Sequence, residues 1–215
     1  ESFQPDLIFI HTTSRNITEA PLPLSASEQE VRDALERQFS HFSQMWERLH
    51  EVYHCPIIQN NFELPSTRLM GNRDAWDCHG MVWFIQELNR KFGQYAASHS
   101  DFYLHYLAAS YGLDAWHDDS YWYLYKYAMT LDAVPELAYS LTRIIRSIYG
   151  KNKKVLALDL DNTLWGGVIG DDGQEGIAIG QETAEAEAYT EVQEYCKAQK
   201  QLGQAGAVPS GLCAA

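Results

Sequence analysis

Short apolar runs separated by long amphipathic patterns constrain this chain most. The run "DLIFI", Asp6 to Ile10, reads as a strand that enters the polar turn "HTTSRN". A helical pattern follows, with Val31, Leu35, Phe39, Phe42, Met45, Trp46 and Leu49 on one face. Ser25-Ala26-Ser27-Glu28 supplies a capping-box pattern before it, and Pro56 stops it. Ile57 and Ile58 start a second strand, which leads into the loop "NNFELPSTRLMGN". A helix around Met81 to Tyr95 and a strand around Phe102 to Leu104 continue the alternation. The aromatic helical stretch "SYWYLYKYAM" and a helix from Pro135 to about Tyr149 complete this part. Strands alternating with helices imply an α/β fold with a mostly parallel sheet.

Gly150-Lys151-Asn152-Lys153-Lys154 reads as a connection, so the expected domains are 1–150 and 151–215. Beyond it, Val155-Leu156-Ala157-Leu158 is apolar throughout, as in a strand covered on both faces. Asp159 and Asp161 follow. In an extended chain a spacing of two puts both carboxylates on one side. Like charges held that close are unfavourable unless a cation or a shared proton relieves them. A Gly-rich segment comes next, then an acidic helix from about Thr183 to Leu202 carrying Glu185, Glu187, Glu191 and Glu194. The closing stretch "GQAGAVPSGLCAA" lacks the apolar run of a buried strand and reads as a frayed tail.

Charge and cysteine usage narrow the function classes. A net charge of −13 opposes binding to nucleic acid and to anionic membranes. No apolar run is long enough to span a bilayer, and no secretory signal is visible. Cys55, Cys78, Cys196 and Cys213 have no paired spacing, which suits reduced thiols in a cytoplasmic setting.

The string "LDLDNTLWGG" resembles the first motif of the haloacid dehalogenase (HAD) superfamily, D-x-D-x-[TV] after a hydrophobic strand. The longer "DLDNTLWGGVIGDDG" with "IGQET", and upstream "NNFELPSTRLMGN", "YGLDAWHD" and "SIYGKNKK", resemble its FkbH-like branch. The resemblance runs from about residue 3 to about residue 202. It implies an SGNH-like parallel-sheet unit followed by the start of a HAD Rossmann-like unit. It implies Asp159 as the nucleophile that forms an aspartyl-phosphate and Asp161 as the general acid/base. Asn162 and Thr163 are the implied phosphate-binding positions, through their turn amides. Mg²⁺ is the implied cofactor, held by the Asp159 side chain and the backbone carbonyl of Asp161. Trp165-Gly166-Gly167 and Gly170-Asp171-Asp172-Gly173 fit the family's hairpin flap. The implied partners are a phosphorylated small molecule and an acyl carrier protein, which in polyketide-type biosynthesis receives a glyceryl thioester. Asp114 and His117, in "DAWH", resemble the late Asp/His block of SGNH hydrolases. Arg15 and Asn16 stand where that fold keeps an Asn oxyanion donor.

The family's later Ser or Thr, Lys and acidic metal ligand have no counterpart here, and no Gly-Asp-Ser nucleophile is present. The chain therefore reads as incomplete at both ends, and a catalytically incomplete fragment or binding module is the competing class. A third class arises at His50-Glu51-Val52-Tyr53-His54, which matches the H-E-x-x-H of zinc metallopeptidases. Pro56 ends that helix at once and no Glu ligand follows in a suitable context, so these histidines are expected to hold no zinc. Cys78-His79 reads as packing at a helix start, and Tyr121 to Tyr127 as core with polar tips reaching water.

Overall fold

The computed structural model describes residues 3–107, 116–151, 155–204 and 212–213. Two compact units divide the chain, Glu1–Ile144 and Ile145–Ala215. The first is built on three parallel strands, β1 (Ile8–Ile10), β2 (Ile57–Asn60) and β3 (Phe102–His105), in the order β1-β2-β3. Ile8 pairs with Ile57, and Ile57 with Phe102, so the strands start in step, and β1 ends one residue before β2 and β3. Helices α1 (Glu28–Tyr53) and α2 (Met81–Ser98) form the crossovers that parallel pairing requires.

Helix α1 begins at Ser27, whose hydroxyl accepts from the Glu30 amide while Glu30 Oε2 accepts from the Ser27 amide at 2.7 Å. The capping box is thus real but starts two residues later than Ser25. The helix ends at His54, in a left-handed conformation (φ 51°), before Pro56 is reached. Val31, Leu35, Phe42 and Trp46 are buried as the periodicity requires, with Phe39, Met45 and Leu49 packed at the margin. Trp46 organises the core: its ring lies 4.7 Å from Phe92 and 4.5 Å from Phe102, and its indole N–H donates to Gln59. Such aromatic packing adds about 0.5–1.5 kcal/mol per pair beyond area burial.

The short helix α3 (Asp119–Tyr125) overturns one expectation. It has no buried residue, and Tyr123 is 68% exposed. Seven residues give too short a helix to keep one face covered. Helix α4 (Val134–Ile148) ends at Gly150 (φ 66°), where the Lys151 amide returns to the Arg146 carbonyl at 2.8 Å.

In the second unit, β4 (Val155–Leu156) pairs in parallel with β5 (Leu212–Cys213). The tail read as frayed therefore supplies a strand, because two residues in register satisfy the backbone without a long apolar run. Residues 169–176 form helix α5 (Ile169–Gly176), kinked at Gly173 (φ 69°), where a hairpin tip was expected. The hairpin base does exist: Gly166 and Ala178 exchange both backbone hydrogen bonds, at 3.0 and 2.8 Å. Helix α6 (Ala184–Gln204) is begun by Thr183, whose hydroxyl accepts from the Ala186 amide at 3.1 Å. No helix among the described residues is long and apolar enough to cross a membrane.

Candidate functional site

In the second unit the strand carries the chain into a short acidic loop. β4 stops at Leu156 rather than Leu158, Ala157 and Asp159 are exposed, and Asp161 is half-buried. The Asp pair is therefore presented on a loop beyond the strand, not directly at its end. The Leu160 amide donates to Asp159 Oδ1 at 2.8 Å. Asp161 Oδ1 accepts from the Trp165 indole at 2.9 Å and the Ile169 amide at 3.2 Å. Asn162 takes φ 53°, a left-handed turn that Asn tolerates. Its Oδ1 accepts from the Gly167 amide at 2.9 Å, and its own amide donates to the Gly167 carbonyl at 3.3 Å.

The loop therefore closes on itself. It is tied to α6 by Gln193, which donates to the Leu164 carbonyl at 2.7 Å. A Cβ on Gly166 would stand 2.9 Å from the Tyr189 ring and 3.0 Å from Ala178, so a larger residue here would force these neighbours to shift. The Thr163 amide also stays inside the loop, donating to the Leu160 carbonyl at 3.3 Å. The Asn162 and Thr163 amides thus serve the turn, and holding a phosphate oxygen would require it to open. The chemistry on offer is an exposed carboxylate, Asp159, beside a carboxylate oriented by two donors, Asp161. Trp165 and the Ile169 amide were not singled out in the sequence as its anchors. The signal available was an indole four residues after the second aspartate.

In the first unit, the C-terminal ends of the strands collect a second polar group, where ligands gather in open α/β sheets. Asn60 clamps the loop after β1, with Oδ1 accepting from the Thr12 amide and Nδ2 donating to the Thr12 carbonyl. Asn61 Oδ1 accepts from the Leu107 amide beyond β3 at 2.7 Å. Glu63 follows and is only 6% exposed. Its Oε1 accepts from the Ser14 amide and hydroxyl at 2.8 and 2.9 Å, while its buried Oε2 has no partner. His117 Nε2, also buried and without a hydrogen bond among the described residues, lies 3.9 Å from Glu63 Oε1. Burial pushes the Glu63 carboxyl above its ordinary range, with the Ser14 bonds and His117 acting the other way. Asp114 lies outside the described residues. Arg15 pairs with Asp119 at 3.2 Å and stacks over Trp122 at 4.3 Å, and Asn16 Oδ1 accepts from the Thr13 amide. Sequence reading missed Glu63; its signal was an acid closing the polar run after a fully apolar strand start.

His11 and His105 share this edge. Burial lowers both pKa values; the Asn60 side chain opposes the effect at His11, and His11 adds to it at His105. His105 Nε2 meets the Ser140 hydroxyl at 2.8 Å, and its buried Nδ1 has no partner. Both rings stay neutral in the folded state at pH values where an unfolded histidine, near 6.5, takes a proton. The unfolded chain then binds more protons, so stability falls as pH drops from about 6.5 towards the lowered folded values. Thermal unfolding between pH 7.5 and 5 is expected to follow that slope, and His105→Gln is expected to flatten it. An unchanged slope in His105→Gln would assign the acid sensitivity to other groups.

The H-E-x-x-H residues do not converge. His50 and His54 meet edge to face at 6.2 Å between ring centroids, Glu51 pairs with Arg48 at 3.0 Å, and His50 faces Asp101 at 3.7 Å. The left-handed backbone at His54 takes its side chain off the helical register that a zincin helix needs.

The fold and the acidic loop are those of an α/β protein, and they are similar to a solved phosphatase domain. The comparison that supports this is with a solved structure, the N-terminal part of protein BF1531 from Bacteroides fragilis, which contains a phosphatase domain and is complexed with Mg. The chain is similar to it with a TM-score of 0.76 and 29% sequence identity, over 93% of this chain and 52% of that one. The chain thus spans about half the length of that structure. No protein-family model and no curated protein matches the chain.

Proposed function

We propose that the chain belongs to a Mg²⁺-dependent phosphatase or phosphotransferase acting on a phosphorylated small molecule. The likeness to a Mg-complexed phosphatase domain, joined to the string "LDLDNTLWGG", carries this reading. Asp159 attacks phosphorus, a P–O bond to the leaving group breaks, and Asp161 protonates the departing oxygen. Asp161 then takes a proton from water, whose oxygen attacks the aspartyl-phosphate and frees Asp159 and phosphate. Mg²⁺ is a hard cation that takes oxygen ligands, which fits a donor set of the Asp159 carboxylate and the Asp161 backbone carbonyl. The Asp161 side chain, held by Trp165 and Ile169, is left to its proton-transfer role. When bound, the ion offsets negative charge between carboxylate and phosphoryl group.

The finer reading is an FkbH-like protein, with an SGNH-like unit over 1–150 and the beginning of a HAD-like domain over 151–215. It would act in the cytoplasm and form a glyceryl thioester on an acyl carrier protein. Glu63 Oε2 and His117 Nε2, buried and without a hydrogen bond among the described residues, favour a second reading, in which the first unit is a small-molecule binding or hydrolase module. The test is phosphate release from small phosphate esters with and without Mg²⁺, on this 215-residue chain and on an extended protein that adds the family's later Ser or Thr, Lys and acidic metal ligand. Mg²⁺-dependent release by the extended protein, with little from the chain alone, is expected. No release from either protein overturns the phosphatase reading.

A further inference from the structure

The turn that precedes α2 brings three metal-ligating side chains together: Asp77, Cys78 and His79. One donor atom from each lies within 4.8 Å of the others. The turn is held from several sides. The Trp76 and Asp77 amides return to the Arg73 carbonyl at 3.1 and 3.0 Å, and the Gly80 amide returns to the Asp77 carbonyl at 2.9 Å. These donors are presented by a built backbone rather than by free surface side chains.

His79 Nε2 lies 2.9 Å from the Ala26 carbonyl, which can only accept. That contact places a proton on Nε2 and turns Nδ1 inwards. Nδ1 lies 2.9 Å from Asp77 Oδ1 and 3.5 Å from the Cys78 sulfur. A tetrahedral centre with Zn–S of ~2.3 Å and Zn–N of ~2.0–2.1 Å separates those two donors by about 3.5 Å. The sulfur and nitrogen already stand at that separation. Arg73 holds the other Asp77 oxygen, Oδ2, at 2.7 Å, which orients Oδ1 towards His79. Contacts of this kind, a carbonyl on the far imidazole nitrogen and a donor on the far carboxylate oxygen, fix ligands around protein-bound metals.

Something positive must lie between Nδ1 and Oδ1, because two lone pairs facing at 2.9 Å repel. A proton on Nδ1 is one occupant and gives an imidazolium–carboxylate pair. The thiolate-forming side chain on the same side is what a proton does not use and a soft divalent cation does. The groove in front of the cluster has about 520 Å³ of open space, lined by Leu24, Glu28, Arg32, Trp76 and Trp83 besides the ligands. It leaves room for water or an exogenous ligand in a fourth position.

We propose that Asp77, Cys78 and His79 form a binding site for a thiolate-accepting divalent cation, Zn²⁺ in the first place, with one coordination position open to the groove. Binding replaces the thiol proton and the Nδ1 proton, so about two protons are released per ion. Its donor set differs from that of the Asp159–Asp161 loop, whose all-oxygen donors suit Mg²⁺.

Titration of the purified, untagged chain with Co²⁺ tests this, because a cobalt–thiolate bond gives an intense near-ultraviolet charge-transfer absorption. One Co²⁺ per chain with that absorption is expected, displaced by Zn²⁺. Cys78→Ser, close to isosteric, is expected to abolish the absorption and weaken Zn²⁺ binding by about 100-fold or more. His50→Gln is expected to leave both unchanged. Thermal unfolding of each variant without metal separates loss of a ligand from loss of the fold. Absence of the absorption in the unaltered chain overturns the proposal and leaves the imidazolium pair. Its survival in Cys78→Ser, or its loss in His50→Gln, places the metal elsewhere and also overturns it.

Discussion

Replacing Asp159 by Asn in the extended protein is expected to lower Mg²⁺-dependent phosphate release by several orders of magnitude, with secondary structure and melting temperature unchanged. The substitution keeps size and shape but removes the charge that makes the oxygen nucleophilic. An amide cannot form the acyl-phosphate, so the two-step route is lost rather than slowed. Asp159 is exposed, and its Oδ1 accepts from the adjacent Leu160 amide, a bond that an Asn oxygen also makes. Little folding energy depends on it. Asp161 differs. Its Oδ1 joins the Trp165 indole and the Ile169 amide, so Asp161→Asn tests both proton transfer and loop geometry. General acid/base catalysis contributes ~10²–10⁴-fold, and a loss in that range is expected. The two causes separate by leaving group. An activated aryl phosphate needs little protonation as it departs, so a missing acid should still allow a first-turnover burst of aryl alcohol, whereas a displaced loop should not. Full activity in Asp159→Asn would end the covalent mechanism, whatever happens at Asp161.

The parts of this molecule legible in the sequence are those fixed by periodicity. The apolar stripe from Val31 to Leu49 could only be a helix facing a core, and Ile57-Ile58 could only be covered strand. Composition alone did not reveal where that rule stops applying. The Tyr121–Tyr127 run is as aromatic as the core, yet its helix is too short to bury a face. Residues 170–173 carry a hairpin signal, but Val168 and Asp172 instead join, amide to carboxylate at 2.8 Å, and start a helical turn. The Asp159–Asp161 spacing pointed to phosphoryl chemistry. The Glu63–His117 pair joins distant loops, and the Asp161 partners and the Asp77–His79 cluster, though close in sequence, are brought together by loop turns. Loop contacts have no period, so the one-dimensional string cannot announce them.

The start of α2 makes the same point about stability, and it carries the second large expected effect. Its N-cap is Gly80, which has no side chain to offer the first free amides. Local helix rules would recommend Ser there, worth only a few tenths of a kcal/mol over Gly. The structure reverses that advice. Asp74, 1% exposed, reaches in from six residues upstream: Oδ1 accepts from the Val82 amide at 2.8 Å, and Oδ2 from the Met70 amide at 3.3 Å. To allow this, the Asp74 backbone passes against Gly80 so closely that any Cβ would overlap its carbonyl oxygen. Backbone on both sides of the clash leaves nothing flexible to yield. Gly80→Ser is therefore expected to destabilise the first unit by about 3 kcal/mol, the upper end of what overpacking costs. Asp74→Ala removes the remote cap and strands two amides, each bonded to a charged group, for a loss of about 3 kcal/mol as well. Either change should lower the midpoint of that unit's unfolding by roughly 10 °C. Because relieving the Gly80→Ser clash must move the Asp74 backbone and with it the carboxylate that caps α2, the two effects are coupled and the double variant should lose less than the sum of the two. Additive losses would show that Gly80 and Asp74 act independently, and a more stable Gly80→Ser would show that the local capping rule prevails.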